Sequence, residues 1–326
     1  MIKVVCSIPE SRFGQFKVDF PKDWEVEFID ADEQSMLDHI KGADFLFIES
    51  MNTVTARVIA AADNLKMIHT QGVGFNYVDT AAAAAKKIYV CNNKGVNSFC
   101  VAEHTIGLML AGLRRTVVLD RECKKARFHE TAVKYRKDGS WGLESRHVGI
   151  VGFGAIGKEV VKLLKPWGCK VSYFDEFRPS PEVEKEFGVA YLPLEEIFRQ
   201  CNVISLHVPV LPTTVNMINK DTIQMMSPET LLINCARGEI VNAADLAEAL
   251  ETGRIYGAAI DTIDPEDAGM DYPLFAMSQT GLDRLIVTSH AAGTTDTVFI
   301  NMLSGGIKNM ERIIAGEKPI NIQNGL

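Results

Sequence analysis

Short apolar runs alternate with helical patterns along the whole chain. The first group is "IKVVCSI", "VEFIDA", "FLFIES", "LKMIHTQG" and "IYVCN". The second is "HVGIVGFG", "KVSYFD", "VISLHVP", "LLINCARG", "YGAAID" and "LIVTSHAAG". These runs lack a polar face, as strands covered by helices on both sides must. Between them lie helical candidates such as "SMLDHIKGA", "VDTAAAAAKK", "AIGKEVVKLLKPWG" and "NAADLAEALETG". Repeated strand-then-helix order predicts parallel sheets in a doubly wound α/β fold.

The pattern predicts two sheets. "GIVGFGAIGKEV" carries Gly152, Gly154 and Gly157 at the spacing of a dinucleotide cradle, yet it lies mid-chain. Such a cradle follows the first strand of its own domain. The expected architecture is a Rossmann nucleotide domain inserted into a flavodoxin-like substrate domain. The inserted domain covers 100–296, and the substrate domain 1–99 with 297–326. "VAEHTIGLMLAGLRRTVVLD" is expected to be one long helix connecting the domains. The stretch from Asn301 begins as a helix, ends as coil and is expected to return to the first domain.

Composition narrows the class. The chain has 326 residues, 47% of them hydrophobic and 23% charged, with a net charge of −8. That suits an ordinary two-domain globular protein. No basic block exists to neutralise phosphates, so no nucleic-acid partner is expected. "MIKVVCSIPE" reads as a first strand and not a signal peptide, and the longest apolar helix is interrupted by Glu103 and His104. The seven cysteines include no C-x-x-C, which suggests buried free thiols in a reducing cytoplasm. No metal-ligand spacing occurs, and no metal or membrane association is expected.

A dinucleotide cradle needs a strand before it, a helix after it and an acid about 20 residues on. "HVGIV" supplies the strand, and Ile156, Val160, Val161, Leu163 and Leu164 recur at helical spacing. Asp175 ends the next strand, 18 residues after Gly157. The helix N-terminus offers N–H groups and partial positive charge to a pyrophosphate. A carboxylate at Asp175 accepts ribose hydroxyls of NAD and repels the 2′-phosphate of NADP, although Arg178 stands near enough to offset it. NAD is the expected cofactor, with NADP less favoured.

Ligands of open α/β sheets sit at the carboxyl ends of strands. There "LLINCARG" brings Arg237, "YGAAIDTIDPED" brings Asp261 and Glu266, and "LIVTSHAAG" brings His290. Hydride transfer to a 2-oxo acid needs a proton donor and a cation. Histidine switches between acid and base near neutral pH, a carboxylate orients it, and arginine forks onto a carboxylate. His290 is thus the candidate acid/base, Glu266 its partner and Arg237 the clamp. Bland readings stand beside these. Arg237 could pair with Glu239, and Asp264 and Asp267 rival Glu266. His69 also ends a strand, His207 suits chain-direction control, and His104 beside Glu103 suits packing or an interface.

Taken in order, "GVGFNYVDTAAAAAKK", "NSFCVAEHTIGLML", "GIVGFGAIGKEV", "ISLHVPVLPTT", "INCARGEIVNAADLAEAL", "GAAIDTIDPED" and "SHAAG" resemble the D-isomer-specific 2-hydroxyacid dehydrogenase family nearly end to end. The resemblance implies a homodimer with the "VAEH" helix region in the interface. It makes Arg237, Glu266 and His290 the catalytic set, with Arg237 and His290 also contacting substrate and cofactor. It implies that the backbone N–H groups of Val73 and Gly74 hold the substrate carboxylate. Ala155 and Ile156 join the three glycines and Asp175 around the cofactor, as do Thr214, Cys235 and Ala236, with Asp261 on the nicotinamide carboxamide. Cys235 would act through its backbone.

Departures bear on the substrate. Phosphoglycerate-oxidising members carry arginine in a "V-R-S" segment, which here reads "IES" with Glu49, an acid that would repel phosphate. Phosphite-oxidising relatives carry lysine where Val73 stands, and formate dehydrogenases pair their histidine with glutamine where this chain has Glu266. Asp267 replaces the usual proline after the glutamate, and "DTI" replaces "DVF". The expectation is a cytoplasmic, NAD-dependent enzyme interconverting a small 2-oxo acid, such as glyoxylate, hydroxypyruvate or pyruvate, with the (R)-2-hydroxy acid. The alternatives are a phosphoglycerate dehydrogenase and a non-catalytic NAD(H)-sensing scaffold.

Overall fold

The computed structural model describes residues 1–326 as two units, Met1–Asn97 with Thr294–Leu326 and Ser98–Gly293. The first holds a five-stranded parallel sheet: β1 (Ile2–Cys6), β2 (Trp24–Phe28), β3 (Phe45–Ile48), β4 (Met67–Thr70) and β5 (Tyr89–Cys91), in the order β2-β1-β3-β4-β5. Successive side chains go to opposite faces. Val5, Leu46, Ile48, Ile68 and Val90 pack against Met36, Val58, Ile59 and Ala83 from three short helices. Val4, Cys6, Phe45, Phe47 and Met67 pack on the other face against Phe13, Phe16, Leu303, Ile307 and Met310. Both faces are covered, which is why these strands show no polar alternation. Asp32, Thr55 and Asp79 accept backbone N–H bonds at the starts of the three short helices and so set where each begins.

The second unit holds seven parallel strands: β6 (His147–Val151), β7 (Lys170–Phe174), β8 (Ala190–Tyr191), β9 (Val203–Leu206), β10 (Leu231–Asn234), β11 (Gly257–Ile260) and β12 (Leu285–Val287). Their order is β12-β11-β10-β9-β6-β7-β8. This is a Rossmann arrangement whose strand order reverses between β6 and β9, and the first unit reverses between β1 and β3 in the flavodoxin-like manner. One face of the seven-stranded sheet buries Val148, Ile150, Val203 and Ile233 beneath helices Ser98–Leu113 and Ala155–Leu164. The other buries Ile204, Leu206, Leu232 and Ile260 beneath Ile197, Ile223, Leu246 and Leu250.

Two sequence expectations change. The strand β8 was not foreseen, because two residues carry no periodicity. The single helix expected over 101–120 is two helices, Ser98–Leu113 and Thr116–Lys124. The break lies at Arg115, whose φ is +50°. Tyr256 donates its hydroxyl to the Leu113 carbonyl at 3.1 Å, while Arg115 Nε donates to the Tyr256 oxygen at 3.0 Å and its guanidinium lies over the ring. A distant aromatic thus satisfies the helix end and holds the turn. No helix is long and apolar enough to cross a membrane.

Candidate active site

The chain reverses direction after β6 at Gly152, whose φ of +99° disfavours any side chain. A Cβ there would also fall 2.5 Å from the His207 carbonyl oxygen. At Gly157 a Cβ would fall 2.1 Å from the Gly152 oxygen, so helix and strand approach only without it. Gly154 differs, because nothing lies within 4 Å of its missing Cβ. It begins helix Ala155–Leu164 with no side chain capping the first turn. The N–H groups near Ala155, Ile156 and Gly157 therefore face a bare cradle with the dipole's positive end behind it. These residues fit a dinucleotide pyrophosphate.

Asp175 follows β7. Its Oδ2 accepts the Phe153 N–H at 2.6 Å and its Oδ1 the Phe177 N–H at 2.9 Å. The glycine loop and its acid are thereby tied together. Arg178 pairs instead with Glu184, at 2.7 and 3.1 Å, and stacks over Tyr191. Arg178 is thus engaged by Glu184 and not by Asp175. Thr214 is 6% exposed, and its hydroxyl closes its own loop by donating to the Pro209 carbonyl and accepting the Leu211 N–H, both at 2.7 Å.

Arg237 follows β10 and is exposed. No carboxylate pairs with it, Glu239 included; its Nη1 donates only to the Ala236 carbonyl, at 2.7 Å. Asn234, which the sequence reading passed over, builds this turn. Its Nδ2 donates to the Arg237 carbonyl at 2.9 Å and its Oδ1 accepts the Ala236 N–H at 3.0 Å. The signal was a polar residue closing the apolar run "LLIN". Cys235 is buried, and burial pushes its thiol up to about 12, so its sulfur is inert at neutral pH.

His290 follows β12 with φ +54°, a left-handed conformation that costs a non-glycine residue about 1 kcal/mol or more. Its Nδ1 lies 2.6 Å from Glu266 Oε1. An ionised carboxylate only accepts, so Nδ1 carries the proton of that bond and Nε2 is left for chemistry. Both side chains are open to solvent. Asp264 and Asp267, the rivals of Glu266, make no bond to His290.

Asp261 is 1% exposed, and its carboxylate turns into the fold. Oδ1 accepts the Ala291 N–H at 3.0 Å and the Thr288 hydroxyl; Oδ2 accepts the Ala292 N–H at 2.9 Å. His104 Nε2 sits 3.1 Å from Thr288 Oγ1 and 3.5 Å from Asp261 Oδ1. Thr288 gives its own proton to Asp261, so His104 Nε2–H is the donor in that contact. His104 is thus linked to the His290 loop from behind.

In the first unit, Val73 and Gly74 are exposed, and neither N–H has a partner within the protein. Their loop is pinned by the Gly72 N–H on Ser50 Oγ at 3.0 Å and by Asn92 Nδ2 on the Val73 carbonyl at 2.6 Å. His69 is fully buried. Its Nδ1 donates to the Thr70 carbonyl at 2.9 Å and its Nε2 accepts from Asn309 at 3.1 Å, so it lines no cleft. Glu49 is ion-paired with Arg12, which corrects its reading as an uncompensated acid.

The family model described as D-isomer specific 2-hydroxyacid dehydrogenase, NAD binding domain, matches residues 106–292. A glyoxylate reductase of Thermofilum pendens is 30% identical over 98% of this chain and 92% of its own length. A D-3-phosphoglycerate dehydrogenase of Methanocaldococcus jannaschii is 33% identical over 90% of this chain and 54% of its own. The crystal structure of D-lactate dehydrogenase with NAD+ from Lactobacillus jensenii superposes with a TM-score of 0.83 at 25% identity, covering 99% of each chain.

Proposed function

This chain belongs to the D-isomer-specific 2-hydroxyacid dehydrogenase family, and we propose that it reduces a small 2-oxo acid to the (R)-2-hydroxy acid with NADH. It is an NAD-dependent oxidoreductase of 2-hydroxy and 2-oxo acids, and what remains to be assigned is the substrate and the residues' roles. The observation that carries the assignment is the His290–Glu266 bond of 2.6 Å on a residue held at φ +54°.

The glycine cradle, the uncapped helix start and Asp175 would hold the dinucleotide. When bound, it supplies the hydride for C2. Glu266 orients the imidazole by accepting from Nδ1, and in the reduction direction the protonated ring would give its Nε2–H to the carbonyl oxygen. Arg237, with no internal carboxylate, keeps its fork for the substrate carboxylate and polarises the carbonyl. The free N–H groups of Val73 and Gly74, in the first unit, are proposed as carboxylate donors. Asp261, buried in its own contacts, supports the reaction by fixing the loop. A second copy of the chain is the proposed cover for Phe99, Val117, Phe128 and Val133, each more than half exposed.

The experiment is a panel of 2-oxo acids, glyoxylate, hydroxypyruvate and pyruvate among them, offered with NADH and then NADPH and followed by absorbance. Tight NADH binding with no oxidation by any of them would favour the non-catalytic scaffold. Preferential oxidation of 3-phosphoglycerate with NAD would favour the phosphoglycerate reading.

A further inference from the structure

His290 stands at the centre of a short stretch, Thr288 to Ala292, that leaves the sheet after β12. One helix, Ser98–Leu113, grips both ends of that stretch. At the first end, His104 Nε2–H donates to Thr288 Oγ1 at 3.1 Å. At the last, the Cys100 thiol donates to the Ala292 carbonyl, with sulfur and oxygen 3.0 Å apart. Cys100 and His104 lie four residues apart in the helix and so share one face of it. Asp261 holds the same two ends from the sheet side, accepting the Thr288 hydroxyl and the Ala292 N–H.

Packing alone does not ask for an imidazole here. The helix is seated on the sheet by Val101, Ala102, Leu108, Met109 and Leu113, all in the core of the second unit. His104 adds something else. From a partly exposed position it turns a donor toward Thr288, with the buried Asp261 carboxylate 3.5 Å away. A side chain that merely filled space would not have to place an N–H there. The need for such a grip lies in the backbone. His290 sits at φ +54°, which a histidine does not hold unaided, so the stretch keeps its course through its pinned ends. Position matters finely for a reacting group, since a shift of about 1 Å can cost about 10²-fold in rate.

Resting on the reading of His290 as the acid of 2-oxo-acid reduction, we infer that His104 and Cys100 are positioning residues for His290. His104 acts through Thr288 and sets where the stretch leaves the sheet. Cys100 acts through Ala292, itself buried, and sets where the stretch re-enters the core. With both ends fixed, the imidazole between them keeps Nδ1 on Glu266 and leaves Nε2 for the reacting oxygen. His104 carries the larger share, because a ring N–H is a stronger donor than a thiol.

The test uses the full-length enzyme with the acid of the panel that wild type reduces fastest, and with NADH either unlabelled or deuterated at C4. His104→Phe keeps a ring and removes the donor, whereas His104→Gln keeps a donor at the same reach. His104→Phe should lower kcat by about ten- to a hundredfold. It should leave NADH affinity unchanged and raise the deuterium isotope effect, because a misplaced acid slows the chemical step. His104→Gln should recover most of that loss, and Cys100→Ala should lose less than His104→Phe. Added to His290→Ala, His104→Phe should cost nothing further, since the group it positions is gone. Wild-type kcat in a folded His104→Phe, or an equal loss with and without His290, overturns this inference alone. Should His104→Phe fail to fold, His104→Gln is compared with His104→Asn, whose amide is one methylene too short to reach Thr288. Equal kcat in those two overturns the inference. Wild-type turnover of no acid, or full turnover by His290→Ala, overturns the reading of the site and this inference with it.

Discussion

Asp261 holds His290 through the main chain: its carbonyl oxygen accepts the His290 N–H at 2.7 Å, while its carboxylate takes the N–H groups of the next two residues. His290 sits at positive φ, so these bonds hold it where it would not rest alone. The Thr288 hydroxyl is the link through which His104 reaches this harness. Thr288→Val should cost about 1–3 kcal/mol by taking one of two donors from the buried Asp261 Oδ1 and the acceptor from His104 Nε2. It should also lower kcat about tenfold with little change in NADH affinity. A thermal melt, kinetics and a fluorescence titration separate these effects, and full turnover in a destabilised variant would leave the harness a purely structural device.

His290→Ala removes the proposed proton donor. Turnover should fall about 10²- to 10⁴-fold, the usual contribution of a positioned acid or base. NADH binding should survive, because the glycine cradle and Asp175 are untouched. Glu266→Gln keeps an acceptor for Nδ1 but removes the charge, so its loss should be smaller. Retained activity in His290→Ala would end the assignment.

The cradle makes a sharper contrast. A methyl group at Gly154 meets nothing within 4 Å, whereas one at Gly157 lands 2.1 Å from the Gly152 oxygen. Gly154→Ala should therefore leave the melting temperature near wild type and still weaken NADH binding, since it fills space kept for phosphate. Gly157→Ala should damage both. Equal NADH affinity in Gly154→Ala and wild type would remove the pyrophosphate from that position.

Much of this was legible in the chain. "GIVGFGAIG" and Asp175 announce themselves because local spacing carries the chemistry, and eleven strands showed as apolar runs. The rest depends on partners distant in sequence. Nothing near Arg115 foretells a helix break, because the hydroxyl that satisfies Leu113 belongs to Tyr256. Glu49 read as a repelling acid because its counter-ion, Arg12, lies 37 residues earlier. Asp261 read as a cofactor contact, while its buried bonds to residues 288–292 appear only once β11 and β12 lie side by side. Two-residue β8 has too little pattern to detect.

Arg178 is held by Glu184, which leaves Asp175 as the proposed selector between NAD and NADP. Asp175→Ser should raise kcat/KM for NADPH relative to NADH by about tenfold through removal of the repelling carboxylate. Adding Glu184→Gln frees Arg178 and should raise it further. The two cofactors are compared at saturating 2-oxo acid, and a ratio unmoved by Asp175→Ser would show that this acid does not meet the ribose.

Stability should fall with acid through two histidines that take no part in the chemistry. Burial pulls His69, in the first unit, and His207, in the second, from 6.5 down to about 4. Burial keeps His69 neutral against the pull of its Nδ1–H bond to the Thr70 carbonyl, with Asn309 donating to Nε2, and His207 has Ser205 at 2.9 Å on Nε2 and no partner on Nδ1. Between pH 4 and 6.5 the unfolded chain binds protons at these rings and the folded chain does not. Stability therefore rises with pH across that window, is complete above it and is progressively lost below 6.5. At pH 5 each histidine should cost about 2 kcal/mol relative to pH 8. Urea titrations at the two pH values should show the loss, and His69→Gln should flatten the first unit's share of the slope even where it lowers stability outright. A slope as steep in His69→Gln as in wild type would assign the acid sensitivity to other groups.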